Sequence, residues 1–195
     1  MSQANARVQT MSLPNVLTYA RIAAVPALVL CLYFLRGDEA RWAAFVLFVA
    51  AALTDWLNGY LARAWEQQST LGRMLDPIAD KLIVGAALMM LVHDNTINGV
   101  SVWAAIVILC REILVSGLRE FLAELNVKVH VTQLAKWKTA LQMVALAVLL
   151  AGPAADKIIP GITLTGILIL WLAALLTLWT GYDYLKAAIR HAMER

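Results

Sequence analysis

Long apolar stretches, separated by short polar breaks, run along almost the whole chain. A run of roughly twenty apolar residues is the length that an α-helix needs to cross the hydrocarbon core of a bilayer. The pattern therefore predicts six membrane-spanning helices, at about 17–35, 40–64, 77–93, 100–121, 139–151 and 161–185. The fifth is the weakest of these predictions, because Gly152 and Pro153 are expected to end that helix early.

The composition supports a membrane protein. Hydrophobic residues make up 62% of the 195 residues and charged residues 15%, and the mean hydropathy is +0.72. A soluble domain of this size cannot bury so much apolar side chain, so we expect an all-α, polytopic membrane protein without a nucleic-acid partner. Because no repeat or low-complexity segment divides the chain, residues 1–195 are expected to form a single domain, with residues 1–12 as a flexible cytoplasmic tail.

The basic residues predict how the helices are oriented. Of the 16 Lys and Arg residues, only Arg36, Arg41 and Lys157 fall on one side of the predicted bundle. The N-terminal tail, the loops after the second and fourth helices and the C-terminus carry the others. Because cytoplasmic loops are enriched in Lys and Arg, both termini are expected to be cytoplasmic.

Residues 53–82 form an acidic segment, which reads LTDWLNGYLARAWEQQSTLGRMLDPIADKL. Asp55 and Asn58 share one face of the predicted second helix, and Asp76 and Asp80, four apart, open the third. Carboxylates at membrane depth are costly and need a partner or a function. Oxygen ligands from two helices suit Mg²⁺ or Mn²⁺, and paired ions recur in phosphoryl chemistry. The segment therefore predicts a cation site that handles a diphosphate.

Two further features of the segment favour a phosphate ligand. Gly59 and Gly72 allow close approach of a nucleotide, and Arg63 can neutralise a phosphate. The alternative is that the carboxylates only cap helix ends, which accounts for Asp76 but not for Asp55 inside an apolar run.

A basic cluster in the second half of the chain predicts a second anion site. Arg111 and Arg119 lie eight residues apart on the fourth helix, and Lys136 and Lys138 open the fifth. A cation after a long apolar run needs a counter-ion, and a phosphomonoester dianion is one. The alternative, that these are topological charges paired with nearby glutamates, stays open.

The spacing of the acidic segment resembles the signature of the CDP-alcohol phosphotransferase family, D-x2-D-G-x2-A-R-x8-G-x3-D-x3-D. This chain matches every fixed position except Asn58, where the family has aspartate. Flanking segments also resemble the members that use glycerol 3-phosphate. They are Leu13 to Thr18 with Arg21, Arg111 to Ile113, Leu118 to Glu120, and Lys136 to Met143.

The resemblance implies transfer of a phosphatidyl group from CDP-diacylglycerol to sn-glycerol 3-phosphate, which releases CMP and phosphatidylglycerophosphate. It implies a homodimer in a bacterial cytoplasmic membrane, with the active site facing the cytoplasm and two Mg²⁺ or Mn²⁺ ions per site. The implied metal ligands are Asp55, Asn58, Asp76 and Asp80, and Asp80 is also the general base. The implied CDP-diacylglycerol contacts are Asn15, Thr18, Gly59, Arg63, Ser69, Thr70 and Gly72. The implied contacts of the acceptor phosphate are Arg111, Arg119, Lys136 and Lys138.

Asn58 is the one departure from the signature. An amide removes one negative charge from a site for two dications, so second-ion affinity and turnover are expected to fall. We favour an engineered, impaired variant; a silent CDP-lipid-binding protein and an active natural exception are alternatives. Another acceptor, such as inositol phosphate, also stays open. A small transporter is disfavoured, because we find no inverted repeat.

Overall fold

The computed structural model describes residues 13–64, 70–124 and 133–193. These ranges contain six helices and no strand, which confirms the all-α prediction. The helices are α1 (Leu13–Phe34), α2 (Asp38–Ala64), α3 (Thr70–His93), α4 (Ser101–Glu124), α5 (Gln133–Ala155) and α6 (Ile162–Met193).

Four of these helices are long and apolar enough to cross a membrane. The spans are Asn15–Phe34 in α1, Ser101–Leu122 in α4, Trp137–Ala155 in α5 and Ile162–Tyr182 in α6. The acidic segment lies on α2 and α3. The chain is therefore a multi-pass membrane protein.

The chain divides into two compact units, Met1–Met90 and Leu91–Arg195. In the first unit α1 packs against α2, and in the second unit α6 packs against both α4 and α5. The single-domain organisation over residues 1–195 stays a prediction.

In the first unit, α2 and α3 each bury a narrow stripe of side chains. Ala44 and Phe48 lie four apart on α2, and Ala79, Ile83 and Ala87 follow the same spacing on α3, all of them buried. Residues four apart share one face of a helix, and small ones let neighbouring helices approach closely. Large apolar side chains on other faces are exposed, including Leu30, Val46 and Leu82. Such an outer surface suits contact with lipid.

In the second unit, two glycines allow α5 and α6 to lie close together. A Cβ on Gly152 would come within 2.6 Å of Thr163 Oγ1, and one on Gly166 within 2.8 Å of Leu149 Cδ2. The prediction that Gly152 and Pro153 end the fifth helix early is wrong, since α5 continues to Ala155. Proline removes only one backbone hydrogen bond in this last turn, and Gly152 provides the close contact with α6.

The start of the third helix also differs from the prediction. The helix begins at Thr70 and not near residue 77, so Asp76 lies inside α3 and does not open it. A helix that began at residue 77 would have placed Pro77 in its first turn, where a missing N–H costs nothing. Pro77 instead lies one turn further in, where the loss of one hydrogen bond is tolerated. Asp76 and Asp80 still share one face of α3.

Candidate active site

Three polar residues of α1 form the first part of the site. Asn15, Thr18 and Arg21 are spaced three apart, and each is at most 2% exposed. A spacing of three places them along one side of the helix. Burying polar groups in an apolar span is costly unless they find partners. The structure shows partners for Thr18 on α2 and α3, and for Arg21 on α2.

Thr18, Asn58 and Asp76 form a closed hydrogen-bonded group that joins α1, α2 and α3. The Thr18 hydroxyl donates to Asp76 Oδ1 at 2.5 Å. Asn58 Nδ2 donates to the same oxygen at 3.1 Å and to Thr18 Oγ1 at 3.2 Å. Two neutral donors therefore stabilise the Asp76 carboxylate. Asn58 itself is 2% exposed.

Asp55, the first carboxylate of the acidic segment, pairs with α1. Arg21 Nη1 lies 2.6 Å from Asp55 Oδ1, and the two side chains are 1% and 49% exposed. Among the residues that the structure describes, Nε and Nη2 of Arg21 make no hydrogen bond. This carboxylate is therefore the counter-ion of a deeply buried cation.

Arg21 was not predicted as a site residue. It counted as one of the basic residues that orient the helices in the membrane. The available signal was its spacing from Asn15 and Thr18, which repeats every three residues within an apolar helix. That signal marks Arg21 as a residue that faces the site.

For the other predicted residues of α2 and α3, the structure describes the position in the helix but gives few side-chain contacts. Asp80 lies one turn after Asp76 on α3 and is half-buried, and Gly72 is buried on the same helix. The backbones of Gly59 and Arg63 belong to α2, and that of Thr70 begins α3. Ser69 lies outside the described residues. The contacts of these residues with CDP-diacylglycerol stay predictions.

The donor atoms of this region suit a hard cation. Carboxylate and amide oxygens are the ligands that Mg²⁺ and Mn²⁺ prefer. Asn58 Oδ1 is buried and accepts no hydrogen bond within the described ranges, so it is an unmet acceptor that a cation would satisfy. In those ranges no three His, Cys, Asp or Glu side chains lie close enough to hold a metal together. Asp55 is turned to Arg21, and Asp76 to Thr18 and Asn58.

The Arg21–Asp55 pair predicts an asymmetric effect on stability. Asp55→Asn is expected to destabilise the protein by roughly 2–4 kcal/mol, because it leaves a buried guanidinium without a counter-ion. Arg21→Met leaves only a half-exposed carboxylate that water can solvate, so a cost of less than about 1 kcal/mol is expected. Thermal unfolding of the two variants in detergent measures the difference. Equal losses, or a larger loss for Arg21→Met, would contradict the asymmetry.

A second buried polar group joins α4, α5 and α6 in the second unit. Lys138, which is 2% exposed, forms an ion pair with Glu112. Arg111 Nη1 lies 3.5 Å from the same Glu112 oxygen, and Arg111 Nη2 donates to Thr180 Oγ1 at 3.1 Å. A Cβ on Gly181 would lie 3.3 Å from Arg111 Cγ, so this glycine gives the arginine room.

Glu112 therefore pairs with both Arg111 and Lys138. The sequence left open an alternative in which these basic residues pair with nearby glutamates. The contacts of Arg111 and Lys138 with Glu112 are of that kind. Arg119 lies two turns further along α4 and is exposed. The backbone of Lys136 belongs to α5, and its side chain is not among those described. Thr180 was not anticipated, since no sequence signal links residues 69 positions apart.

Comparison with known proteins identifies the family. The sequence profile of the CDP-alcohol phosphatidyltransferase family matches residues 11–179. The chain therefore belongs to this family.

Curated relatives align along nearly the whole chain. CDP-diacylglycerol–glycerol-3-phosphate 3-phosphatidyltransferase of Rickettsia bellii is 47% identical over 180 residues, which cover 92% of this chain and 97% of the relative. The protein of the same name from Pseudomonas fluorescens is 42% identical over 187 residues, covering 93% and 92%. Cardiolipin synthase (CMP-forming) of Oryza sativa subsp. japonica is 40% identical over 190 residues, covering 90% of this chain and 57% of the rice protein.

Proposed function

We propose that this protein transfers the phosphatidyl group of CDP-diacylglycerol to sn-glycerol 3-phosphate, giving phosphatidylglycerophosphate and CMP. The observation that carries the proposal is the meeting of α1, α2 and α3 at Asp76, in a chain whose relatives bear the name of this activity. The polar atoms there are those expected around a nucleotide diphosphate. They lie in an otherwise apolar helical unit, which suits a lipid-linked substrate.

In this reaction a hydroxyl oxygen of glycerol 3-phosphate forms a bond to the phosphorus that carries diacylglycerol, and the bond from that phosphorus to CMP breaks. Asp80 takes the hydroxyl proton, which requires it to lie within hydrogen-bond reach of the acceptor. Arg21 and the Thr18–Asn58 pair hold Asp55 and Asp76 in place. The residues proposed to hold Mg²⁺ or Mn²⁺ are Asp55, Asn58, Asp76 and Asp80, and such an ion would supply positive charge to offset that of the diphosphate.

The same proposal assigns the nucleotide contacts. Asn15 and Thr18 come from α1, and the buried backbone of Gly72 allows close approach from α3. The other contacts proposed for the cytidine and its phosphates are Gly59, Arg63, Ser69 and Thr70.

The acceptor phosphate is assigned to the basic group of the second unit. Arg111 and Lys138 share one carboxylate, that of Glu112. The exposed Arg119 is the third proposed contact, and Lys136 is the fourth. Because a phosphomonoester carries close to two negative charges at neutral pH, this group favours a phosphorylated acceptor over serine.

The proposal includes a location and an assembly. The distribution of Lys and Arg supports a bacterial inner-membrane protein with both termini and the active site on the cytoplasmic side. A homodimer is proposed, because exposed apolar faces with small residues permit helix packing between copies.

Release of CMP tests the function. The purified chain in mixed micelles with CDP-diacylglycerol is incubated with glycerol 3-phosphate, inositol phosphate, serine or phosphatidylglycerol, or with no acceptor. We expect release with Mg²⁺ or Mn²⁺ and glycerol 3-phosphate, and none with EDTA. Release that prefers another acceptor would overturn the proposed substrate. A lack of release with every acceptor would favour a silent CDP-lipid-binding protein.

Arg119→Ala is expected to raise the KM for glycerol 3-phosphate by roughly tenfold, because an exposed charge-assisted contact to phosphate is worth about 1–2 kcal/mol. The KM for CDP-diacylglycerol is expected to change less than about twofold, since Arg119 is proposed to contact the phosphate of glycerol 3-phosphate and not the nucleotide. Steady-state kinetics with each substrate varied in turn gives both constants.

Lys157→Ala is the matched control, because it removes a positive charge from the exposed connection between α5 and α6. Neither KM is expected to change in this variant. If Arg119→Ala raised both constants equally, the residue would have a structural or general electrostatic role.

A further inference from the structure

Two buried polar side chains of the second unit, Gln142 and Thr177, have no hydrogen-bond partner. Gln142 on α5 is 2% exposed, and Thr177 on α6 is fully buried. Among the described residues, neither Gln142 Oε1 nor Thr177 Oγ1 makes a hydrogen bond. Burying an amide or a hydroxyl in this way is unfavourable. The polar group that joins α4, α5 and α6, which we call the interhelical group, consists of Arg111, Glu112, Lys138 and Thr180.

The Thr177 hydroxyl differs from those of two other threonines of α6. Thr165 and Thr180 each donate to the backbone carbonyl four residues earlier, at 2.9 Å in both cases. This local bond is a common one for a threonine in a helix. Thr177 makes no such bond within the part of the chain that the structure describes. Its hydroxyl hydrogen is therefore available to another acceptor.

Gln142 and Thr177 each lie one helical turn from the interhelical group. Gln142 follows Lys138 by four residues on α5, and Thr177 precedes Thr180 by three on α6. Residues at these spacings share a helix face. Because α5 and α6 pack against each other across a short connection, they are antiparallel, and both steps lead toward that connection. The two side chains therefore belong to the next layer of the bundle.

The third side of this layer is apolar. Trp171 Nε1 of α6 donates to Ser101 Oγ of α4 at 3.4 Å. Further along both helices Arg111 donates to Thr180, so α4 and α6 run in the same direction. Ile108, one turn before Arg111, therefore belongs to the same layer, and it is fully buried. An amide oxygen, a hydroxyl and an apolar side chain suit a neutral hydroxyl group on a carbon chain.

We propose that Gln142 and Thr177 bind the 2-hydroxyl of sn-glycerol 3-phosphate, and thereby select an acceptor with a hydroxyl on the carbon next to its phosphoester carbon. The ligand hydroxyl donates its hydrogen to Gln142 Oε1 and accepts the hydrogen of Thr177. This inference rests on the proposed function, which assigns the acceptor phosphate to residues that include Arg111 and Lys138. The step from those residues to the new layer is one helical turn, roughly 5 Å, which suits a hydroxyl so near the phosphate.

An acceptor reaches this layer from the side of the interhelical group. Arg111 and Glu112 keep 10% and 17% of their side-chain surface exposed, whereas Ala145 and Leu146, further along α5, are fully buried. Binding requires the ion pair of Lys138 with Glu112 to open, so that the phosphate replaces the carboxylate beside the lysine. The 2-hydroxyl then meets buried polar atoms, and a site of this kind rejects a ligand that lacks the hydroxyl.

Acceptor binding in the absence of CDP-diacylglycerol tests the inference, because no transfer can then occur. Isothermal titration calorimetry of the full chain in detergent compares sn-glycerol 3-phosphate with 3-hydroxypropyl phosphate, which lacks the 2-hydroxyl. We expect the unsubstituted chain to bind glycerol 3-phosphate about tenfold more tightly, because buried hydrogen bonds distinguish the two esters.

Gln142→Leu and Thr177→Val remove the proposed contacts with side chains of similar size. Each single variant is expected to keep about a threefold preference for glycerol 3-phosphate, and the double variant to bind the two esters equally. The Kd for 3-hydroxypropyl phosphate is expected to change less than about twofold. Thr165→Val removes an exposed hydroxyl of the same helix, so this control variant is expected to keep the tenfold preference.

Three results would overturn the inference. Equal binding of the two esters by the unsubstituted chain would indicate a permanently bound water in this layer. An undiminished preference in the double variant would place the recognition of the hydroxyl elsewhere. Weaker binding of both esters by the same factor in the variants would indicate a structural role. If the double variant does not fold, the two single variants provide the same comparison.

The binding data separate this inference from the proposed function. A chain whose preference is lost in the double variant, but which releases no CMP with glycerol 3-phosphate, would refute the transferase and leave the hydroxyl site standing. Release of CMP with glycerol 3-phosphate, together with the same preference in the unsubstituted chain and the double variant, would refute the hydroxyl site alone.

Discussion

Replacing Asn58 by aspartate is expected to raise the turnover number for phosphatidyl transfer by about tenfold or more, because a restored carboxylate adds a charged ligand for a second cation. In the present chain the amide donates to Asp76 and to Thr18, so it stabilises the resting arrangement of the site. Asn58→Asp replaces that stabilisation by a requirement for metal. The turnover number at saturating substrates, measured over a series of Mn²⁺ concentrations, gives the effect.

The metal dependence should change together with the rate. The stimulation by Asn58→Asp is expected to be largest at high Mn²⁺ and to vanish when metal is limiting. Asn98→Asp, with the same added charge far along the sequence, is expected to leave the rate unchanged. Equal turnover of Asn58→Asp and the unsubstituted chain at saturating metal would show that position 58 does not limit catalysis.

Asp80→Asn is expected to lower the turnover number by roughly 10²–10⁴-fold, which is the typical contribution of a positioned general base. An amide oxygen can still accept a hydrogen bond from the acceptor hydroxyl, but it cannot take the proton. The KM for CDP-diacylglycerol is expected to change less than about threefold, because the nucleotide contacts are assigned to other residues. Single-turnover CMP release separates the chemical step from substrate binding.

Asp94→Asn is the matched control for this prediction. Asp94 follows α3 and accepts a hydrogen bond from the Thr96 amide at 2.9 Å, which an asparagine oxygen can also accept. The activity of this variant is therefore expected to stay within about twofold of that of the unsubstituted chain. An Asp80→Asn enzyme with near-normal turnover would show that another group takes the proton.

The helices follow from the sequence because length and hydrophobicity decide them locally. An apolar run of about twenty residues has few alternatives to a helix in a membrane. Helix ends are less certain, since they depend on partners. Pro77 and Gly152 signal a boundary in the sequence, but α3 and α5 continue through them because neighbouring contacts outweigh one lost hydrogen bond.

The residues that make up the acidic site can also be predicted from the sequence, but the contacts between their side chains cannot. Helical spacing indicates that Asn58 and Asp55 share a face, and that Asp76 and Asp80 share another. The rotation of each helix against its neighbour then decides which side chains meet. This rotation places Arg21 beside Asp55.

The second unit shows the same limit. The sequence marks the cations Arg111 and Lys138, and it offers Glu112 as a partner. It contains no sign that Thr180, on a helix far along the chain, accepts a hydrogen bond from Arg111. That contact results from the packing of α6 against α4.

The glycine contacts between α5 and α6 also constrain how the second unit can move. Gly152 lies near one end of α5 and Lys138 near the other, about 20 Å apart at the rise of an α-helix. Because Thr163 lies where a side chain on Gly152 would be, the two helices pack closely at this end. We therefore expect any rearrangement around Lys138 to be a tilt of α5 about this close contact, with the largest displacements where the cations lie.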